Sequence, residues 1–172
     1  MKLLGALMVF WACGALGMLL AGNLVRRQQI LRELQVALQL LETEITYAAT
    51  PLPEAFRRVG QKCRSPVGRL FLAAANTLDA DPGITAGEAW EAGLAALWAV
   101  APMDREEVAV LSDLGQGLGR GDREDQRKKL ELARAQLQHL ERTAAEVRAR
   151  QTRVWQTLGF LGGVTIILLL YW

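Results

Sequence analysis

Two stretches without any charged residue, one towards each end of the chain, constrain the fold most strongly. The first is Leu3–Val25 and the second is Val154–Trp172, and every charged residue except Lys2 lies between Arg26 and Arg153. A helix needs about 20 mainly apolar residues to cross a hydrocarbon core about 30 Å thick. We therefore predict a transmembrane helix in each stretch. The first has no small-residue cleavage site before Arg26 and is too long for the apolar core of a signal peptide, which favours an uncleaved anchor.

The basic residues that flank the two stretches predict the orientation of the chain. They follow the first stretch or precede the second: Arg26, Arg27, Arg32, Arg148, Arg150 and Arg153. Because cytoplasmic loops are enriched in Lys and Arg, we expect the intervening residues in the cytoplasm and both termini on the outer side of the cell membrane. The predicted division is an N-terminal transmembrane helix in residues 1–25, a cytosolic domain in 26–153 and a C-terminal transmembrane helix in 154–172.

The cytosolic domain has the sequence pattern of a helical bundle. Apolar residues recur at intervals of three and four, and no strand-like alternation competes with that pattern. Capping residues or prolines mark helix starts, namely at Thr50–Pro51, Ser65–Pro66, Thr85, Asp104 and Asp122. The residues expected to face the core after Thr85 are Trp90, Leu94, Leu97 and Trp98. We predict an all-α fold in which two transmembrane helices flank a cytosolic antiparallel bundle of about six helices.

The segment "LETEITYAATPLPEAF", residues 41–56, joins the first long helix to the second. Thr50 is predicted to cap the second helix with its hydroxyl, and Pro51 to supply the φ of its first turn. A helix that continues from Arg27 places this turn roughly 36 Å from the bilayer, at the far tip of the domain. We interpret the turn as a joint first and as a docking surface second.

A second charged turn, "GDREDQRKK" in residues 121–129, has four charged residues in succession and so presents charge on more than one helix face. These residues and the acids around the first turn are the candidates for binding a protein partner. They are Glu42, Glu44, Thr50, Pro51, Glu54, Asp122, Arg123, Glu124, Asp125 and Gln126.

The residue inventory offers little for catalysis or for cofactor binding. Lys and Arg total 20 against 18 Asp and Glu, so the basic excess that phosphate binding needs is absent and we expect no nucleic-acid partner. The two cysteines form no metal-ligand spacing, and the glycines of "LGQGLGRGD" do not match a phosphate loop. We therefore expect no catalytic residue, cofactor or metal. One alternative stays open, a membrane signalling or assembly protein that uses His139 or the acidic cluster around Glu42 and Glu54.

Three stretches of the sequence, taken together, resemble one protein family. They are "LQLLETEITYAATPLPEAF", "LGRGDREDQ" and the apolar C-terminal segment that contains "LGFLGG". With them the chain resembles, over essentially its whole length, the stage III sporulation protein AB family of endospore-forming bacteria. The cytosolic domain of that family is in turn similar to the helical cytoplasmic domains of type II secretion F proteins, which form an inner-membrane platform.

This resemblance implies a non-enzymatic scaffold in a secretion-like channel complex between the mother cell and the forespore. The helical domain would lie in the mother-cell cytoplasm and bind the secretion-ATPase-like stage III sporulation protein AA. Other stage III sporulation channel components and the membrane would be further partners, and homo-oligomerisation is left open.

Overall fold

The computed structural model describes the backbone of residues 2–146 and the side chains of residues 22, 23 and 25–146. This part of the chain contains six helices and no strand, which confirms the all-α prediction. The helices are α1 Lys2–Thr46, α2 Leu52–Lys62, α3 Val67–Ala80, α4 Ala86–Trp98, α5 Arg105–Gly117 and α6 in residues 123–146. Consecutive helices from α1 to α5 pack against each other because the turns between them are short.

The two membrane spans stay predictions. The second, residues 154–172, lies outside the described residues, and so do the side chains of residues 1–21 in the first. Among the side chains that are described, no helix has a stretch both long and apolar enough to cross a bilayer. The backbone of α1 is one continuous helix from Lys2 to Thr46, so the first charge-free stretch and the bundle share a single rod.

A cluster of three aromatic rings from three helices forms the centre of the core. Phe56 of α2, Phe71 of α3 and Trp90 of α4 are fully buried, with ring centroids between 5.4 and 6.1 Å apart. Trp90 Nε1 donates a hydrogen bond of 2.7 Å to the carbonyl of Leu111 in α5. Because the indole N–H has this partner, the ring is buried without leaving a polar atom unsatisfied. Four helices therefore meet at this cluster.

One residue of α4 departs from the sequence prediction. The other expected core residues of this helix are buried, namely Trp90, Leu94 and Leu97. Trp98 was expected to face the core, and that is wrong, because its side chain is 48% exposed. It is the last residue of α4, where the chain turns, and Ala101 and Met103 of the following loop enter the core instead.

The turns between the helices alternate between two ends of the bundle. Three turns form the distal end, residues 47–51, 81–85 and 118–122, and two form the proximal end, residues 63–66 and 99–104. The distal turns lie close together: a Cβ atom added to Gly119 would lie 3.0 Å from Ala86 Cβ and 4.0 Å from Leu52 Cδ2. The proximal turns lie beside the stretch of α1 that begins near Arg27. There Arg27 Nη2 lies 2.5 Å from Asp104 Oδ2.

Helix α6 runs back along α1, and polar contacts join the two helices at two levels. Towards the proximal end, Glu141 accepts hydrogen bonds from Arg32 Nε at 2.6 Å and from Gln35 Nε2 at 3.2 Å. Towards the distal end, Arg134 Nη1 donates to Glu42 Oε2 at 3.0 Å. Residue numbers rise along α1 as they fall along α6, so the two helices are antiparallel.

Candidate partner-binding site at the distal end

Thr50 closes the joint between α1 and α2, although not in the way predicted. Its hydroxyl donates to Glu44 Oε2 at 2.9 Å, and its main-chain N–H donates to the Glu44 carbonyl at 3.0 Å. The prediction that Thr50 caps α2 is wrong, because Pro51 occupies the N-cap position without a side-chain cap. Ala49, with a φ of 51°, is in the left-handed region that commonly ends a helix. The joint is thus fixed by bonds back to α1.

Glu44 is part of a network that ties α1 to α2. Besides Thr50, it contacts Arg58 Nη1 at 3.3 Å and Lys62 Nζ at 3.6 Å, and its side chain is 12% exposed. The hydroxyl of Thr50 is the largest cause that lowers the pKa of Glu44, and the two cations add to it. The carboxylate of Glu44 holds the turn to α1 and is too little exposed to contact a partner.

The other two predicted acids of this turn are also paired within the chain. Glu42 faces Arg134 of α6, and its side chain is 14% exposed. Glu54 is 41% exposed and pairs with Arg57 at 2.5 Å and Arg58 at 3.1 Å, and the hydrogen bond from Arg58 is the largest cause that lowers its pKa. Within the described residues no hydrogen bond joins any two of these carboxylates. Glu54 is therefore the acid of this turn that a partner can reach.

The turn between α5 and α6 matches its predicted role as a helix start. The main-chain N–H of Asp125 donates to Asp122 Oδ1 at 2.8 Å, which is the expected cap. Gly119 and Gly121 have φ values of 72° and 83°, a region that glycine adopts without steric cost. These two residues let the chain reverse direction before the cap.

The charged residues that follow this turn differ in how available they are to a partner. Arg123 is exposed and forms no ion pair with any residue whose side chain is described. Glu124 is half-exposed and pairs with Arg127 at 2.7 Å. Asp125 is exposed, and Gln126 is partly buried. Arg123 is thus the basic residue at the start of α6 that the described contacts leave available to a partner.

The structure brings the two predicted turns together. Gly119 packs beside Leu52, the first residue of α2, as described above. Their charges also interact, since Glu42 contributes to the raised pKa of Arg127, for which Glu124 is the largest cause. One end of the bundle therefore presents both stretches that the sequence singled out.

A polar cleft of about 540 Å³ between α4 and α5 opens beside these turns, and the sequence did not predict it. Its lining residues are Thr85, Gly87, Glu88, Glu91, Ser112, Gln116 and Arg120. Ser112 Oγ donates to Glu91 Oε1 at 2.5 Å across the cleft. The residues belong to two helices and two turns that are distant in sequence, so no local pattern indicates them.

His139, the residue of the signalling alternative, lies on α6. The side chain is exposed, as predicted, and its ring makes no hydrogen bond or ion pair with any described residue. In the same part of the chain no three His, Cys, Asp or Glu residues are grouped so that they could hold a metal ion.

Comparison with known proteins gives a consistent picture. The family model for Stage III sporulation protein AB matches residues 2–171. The chain is 36% identical over 170 residues to the stage III sporulation protein AB of Bacillus subtilis (strain 168), an alignment that covers 99% of each chain. A solved structure of a stage III sporulation protein AB is similar at 34% identity with a TM-score of 0.68, covering 73% of this chain and 98% of that one. These names describe sporulation proteins and state no enzymatic activity.

Proposed function

Because the chain belongs to the stage III sporulation protein AB family, we propose that it is a non-enzymatic membrane scaffold in a sporulation channel complex between mother cell and forespore. In this role the two charge-free stretches anchor it in the cell membrane, and the bundle lies in the mother-cell cytoplasm. The distal end binds the secretion-ATPase-like stage III sporulation protein AA and couples it to the membrane, as in a type II secretion F-like platform. Membership of the family supports a role in sporulation. The exposed charged turns at the distal end support a protein-binding surface there.

The observation that carries the proposal is the position of the charged turns relative to the first charge-free stretch. That stretch ends two residues before Arg27, at the proximal end. From Arg27 to Thr46, α1 rises roughly 30 Å to the distal end. Since α6 returns towards the proximal end as far as residue 146, the described chain ends on the side of the first charge-free stretch, and the charged turns lie on the other side. A surface so placed is accessible to a large partner in the cytosol.

The structure separates the candidate residues into a contact set and a support set. Arg123 and Glu54 are exposed enough to meet a partner, with Pro51, Glu124 and Asp125 beside them. The support set consists of residues whose side chains hold the two turns, namely Glu42, Glu44, Thr50 and Asp122. Reversing a charge in the support set would disturb the fold, so a test of binding belongs to the contact set.

Charge reversal by Arg123→Glu is expected to weaken capture of the stage III sporulation protein AA ATPase about tenfold, since interface charges set encounter and register. The full chain, solubilised in detergent, would be immobilised and the bound ATPase measured over a range of salt concentrations. The loss should be largest at low salt, where exposed charges are least screened.

The matched control is Arg142→Glu, the same change on the same helix. Arg142 is exposed, forms no ion pair with a described residue and lies towards the proximal end. It should bind the ATPase like the parent chain. Equal binding of the ATPase by Arg123→Glu and by the parent chain would contradict the proposal that the ATPase binds at the distal end.

His139→Ala is expected to leave spore formation and ATPase capture unchanged, because the imidazole is exposed and bonded to no described residue. Spore counts in cells that carry only the variant would be compared with counts for the parent, after checking that the protein accumulates normally in the membrane fraction. Loss of spores with the protein present in normal amount would favour the signalling alternative over the scaffold.

A further inference from the structure

The proximal end of the bundle carries an exposed apolar pair at the end of α4. The side chains of Trp98 and Val100 are 48% and 44% exposed. The two residues are two positions apart, and large exposed apolar side chains grouped in one segment mark a contact with a partner or a membrane more often than isolated ones do. Whether Trp98 and Val100 contact a protein partner or the membrane follows from where they lie on the bundle.

A buried ion pair fixes the loop 99–104 beside the start of the bundle. Arg27 Nη2 lies 2.5 Å from Asp104 Oδ2, and Arg27 Nε donates to Glu107 Oε1 at 2.7 Å. Arg27 follows Val25, the last residue of the first charge-free stretch, by only two residues. Two residues of helix correspond to about 3 Å along the axis. The loop thus lies at the level where that stretch ends.

The loop holds its apolar pair outwards in a defined conformation. Ala101 and Met103 are buried in the core, while the neighbouring Trp98 and Val100 face outwards. The N–H groups of Val100 and Ala101 donate to the carbonyl of Leu97 at 3.1 and 2.9 Å, which continues the end of α4 into the loop. The exposure of the pair is built into the fold, since their neighbours are anchored.

The proximal end also carries exposed arginines, one in α1 and one at the start of α5. Arg26 and Arg105 are exposed and form no ion pair with a described residue, and Arg27 lies between Asp104 and Glu107 and offsets one of their two negative charges. Glu106 is the one exposed acid in the first turn of α5 that the described contacts leave unpaired. Tryptophan with flanking arginines is the combination that favours the boundary between lipid headgroups and hydrocarbon.

We propose that Trp98 and Val100 insert into the headgroup region of an anionic bilayer, with Arg26 and Arg105 against the lipid phosphates. This inference rests on the membrane anchoring in the proposed function and adds a third attachment point to the two charge-free stretches. The loop 99–104 then rests on the membrane. The tilt of the bundle is set by this loop as well as by α1 and α6.

The test uses tryptophan fluorescence of the full chain in vesicles of phosphatidylcholine and phosphatidylglycerol, with and without brominated phosphatidylcholine as the quencher. The chain has five tryptophans. Replacing the three in the charge-free stretches by phenylalanine, at Trp11, Trp155 and Trp172, leaves Trp90 and Trp98. Trp90 is fully buried between Phe56 and Phe71 and serves as an internal reference. We expect brominated lipid to remove the emission of Trp98 and to leave that of Trp90.

Two further variants make the result specific to the loop. Adding Trp98→Phe should abolish the quenching, because only Trp90 then emits. Adding Tyr47→Trp to that variant places a probe at the distal end, where Tyr47 is 80% exposed, and this probe should stay unquenched. Quenching of both position 47 and position 98 would overturn the inference, because the bundle would then lie flat on the bilayer.

Flotation of the vesicles separates failure of this inference from failure of the proposed function. If the chain floats with the vesicles but Trp98 is quenched by aqueous iodide and not by brominated lipid, the loop does not enter the bilayer and the anchoring stands. If the chain does not float, both the membrane anchoring and the inference are overturned.

Discussion

Arg27→Ala is expected to lower the free energy of unfolding by about 3–5 kcal/mol, the usual effect of removing one partner of a buried ion pair. The carboxylate of Glu107 is fully buried, and Arg27, whose side chain is 20% exposed, is its cation. The N–H of Asp104 also donates to Glu107, at 2.8 Å, but a neutral donor cannot replace the missing charge. Urea unfolding of the full chain in detergent, followed by far-ultraviolet circular dichroism, measures the loss.

Two controls distinguish the buried pair from a general effect of removing an arginine. Arg26→Ala changes the adjacent, exposed arginine and should alter the stability little. The double replacement Arg27→Met with Glu107→Gln removes both charges and keeps a side-chain oxygen for the N–H of Asp104, so it should recover much of the stability. If Arg27→Ala unfolds like the parent, Glu107 does not depend on this cation.

The effect of Arg27→Ala should also depend on pH in a defined direction. Burial is the largest influence on Glu107 and raises its pKa. The main-chain N–H of Asp104 and the guanidinium of Arg27 oppose this rise, and the negative charge of Asp104 adds to it. A carboxyl whose pKa is raised by folding favours the folded state when protonated, and this contribution falls as pH rises from the ordinary Glu pKa through the raised value. Without Arg27 the pKa of Glu107 is raised further, because the guanidinium no longer stabilises the ionised carboxylate. The stability difference between variant and parent should therefore be greater at mildly alkaline pH than at acidic pH.

Trp90→Ala is expected to lower the free energy of unfolding by about 3–5 kcal/mol, the range for removing a large aromatic side chain from a packed core. The ring contacts Phe56 and Phe71 at centroid distances of 5.8 and 5.4 Å, and its N–H bonds to α5 through Leu111. Removing it leaves a cavity at the point where four helices meet. The same urea titration measures the change.

Trp90→Phe is the matched control for this core position. It keeps a ring beside Phe56 and Phe71 and loses the hydrogen bond to Leu111, which is worth about 1 kcal/mol. We expect most of the loss seen with alanine to be recovered. Equal losses for the two variants would mean that the hydrogen bond, and not the packed ring, joins α4 to α5.

The helix starts that were predicted correctly depend on residues close in sequence. Thr85 with Glu88, and Asp104 with Glu107, form capping boxes because the partners lie three residues apart on one turn. Thr50 was predicted wrongly, because the carboxylate of Glu44 competes for its hydroxyl. A cap rule considers only the helix that follows, and here the helix that precedes supplies the partner.

The candidate site was predictable as two separate turns but not as one surface. Each turn has its own local signal in proline, glycine or capping residues. Their proximity, with Gly119 close to Leu52, depends on how the helices pack. The ion pair of Glu107 with Arg27 is similar, since the sequence indicates the acid as a capping residue and gives no sign of a cation 80 residues away.

The polar contacts between α1 and α6 determine how the bundle carries a mechanical load. A force along the helix axes at the distal turns would slide one rod past the other in shear. Glu141 with Arg32 and Glu42 with Arg134 tie the rods at two heights, so sliding must break both ties together. Two helices joined in this way resist sliding past each other. A load on the distal turns would reach the proximal end as tension and compression shared by α1 and α6.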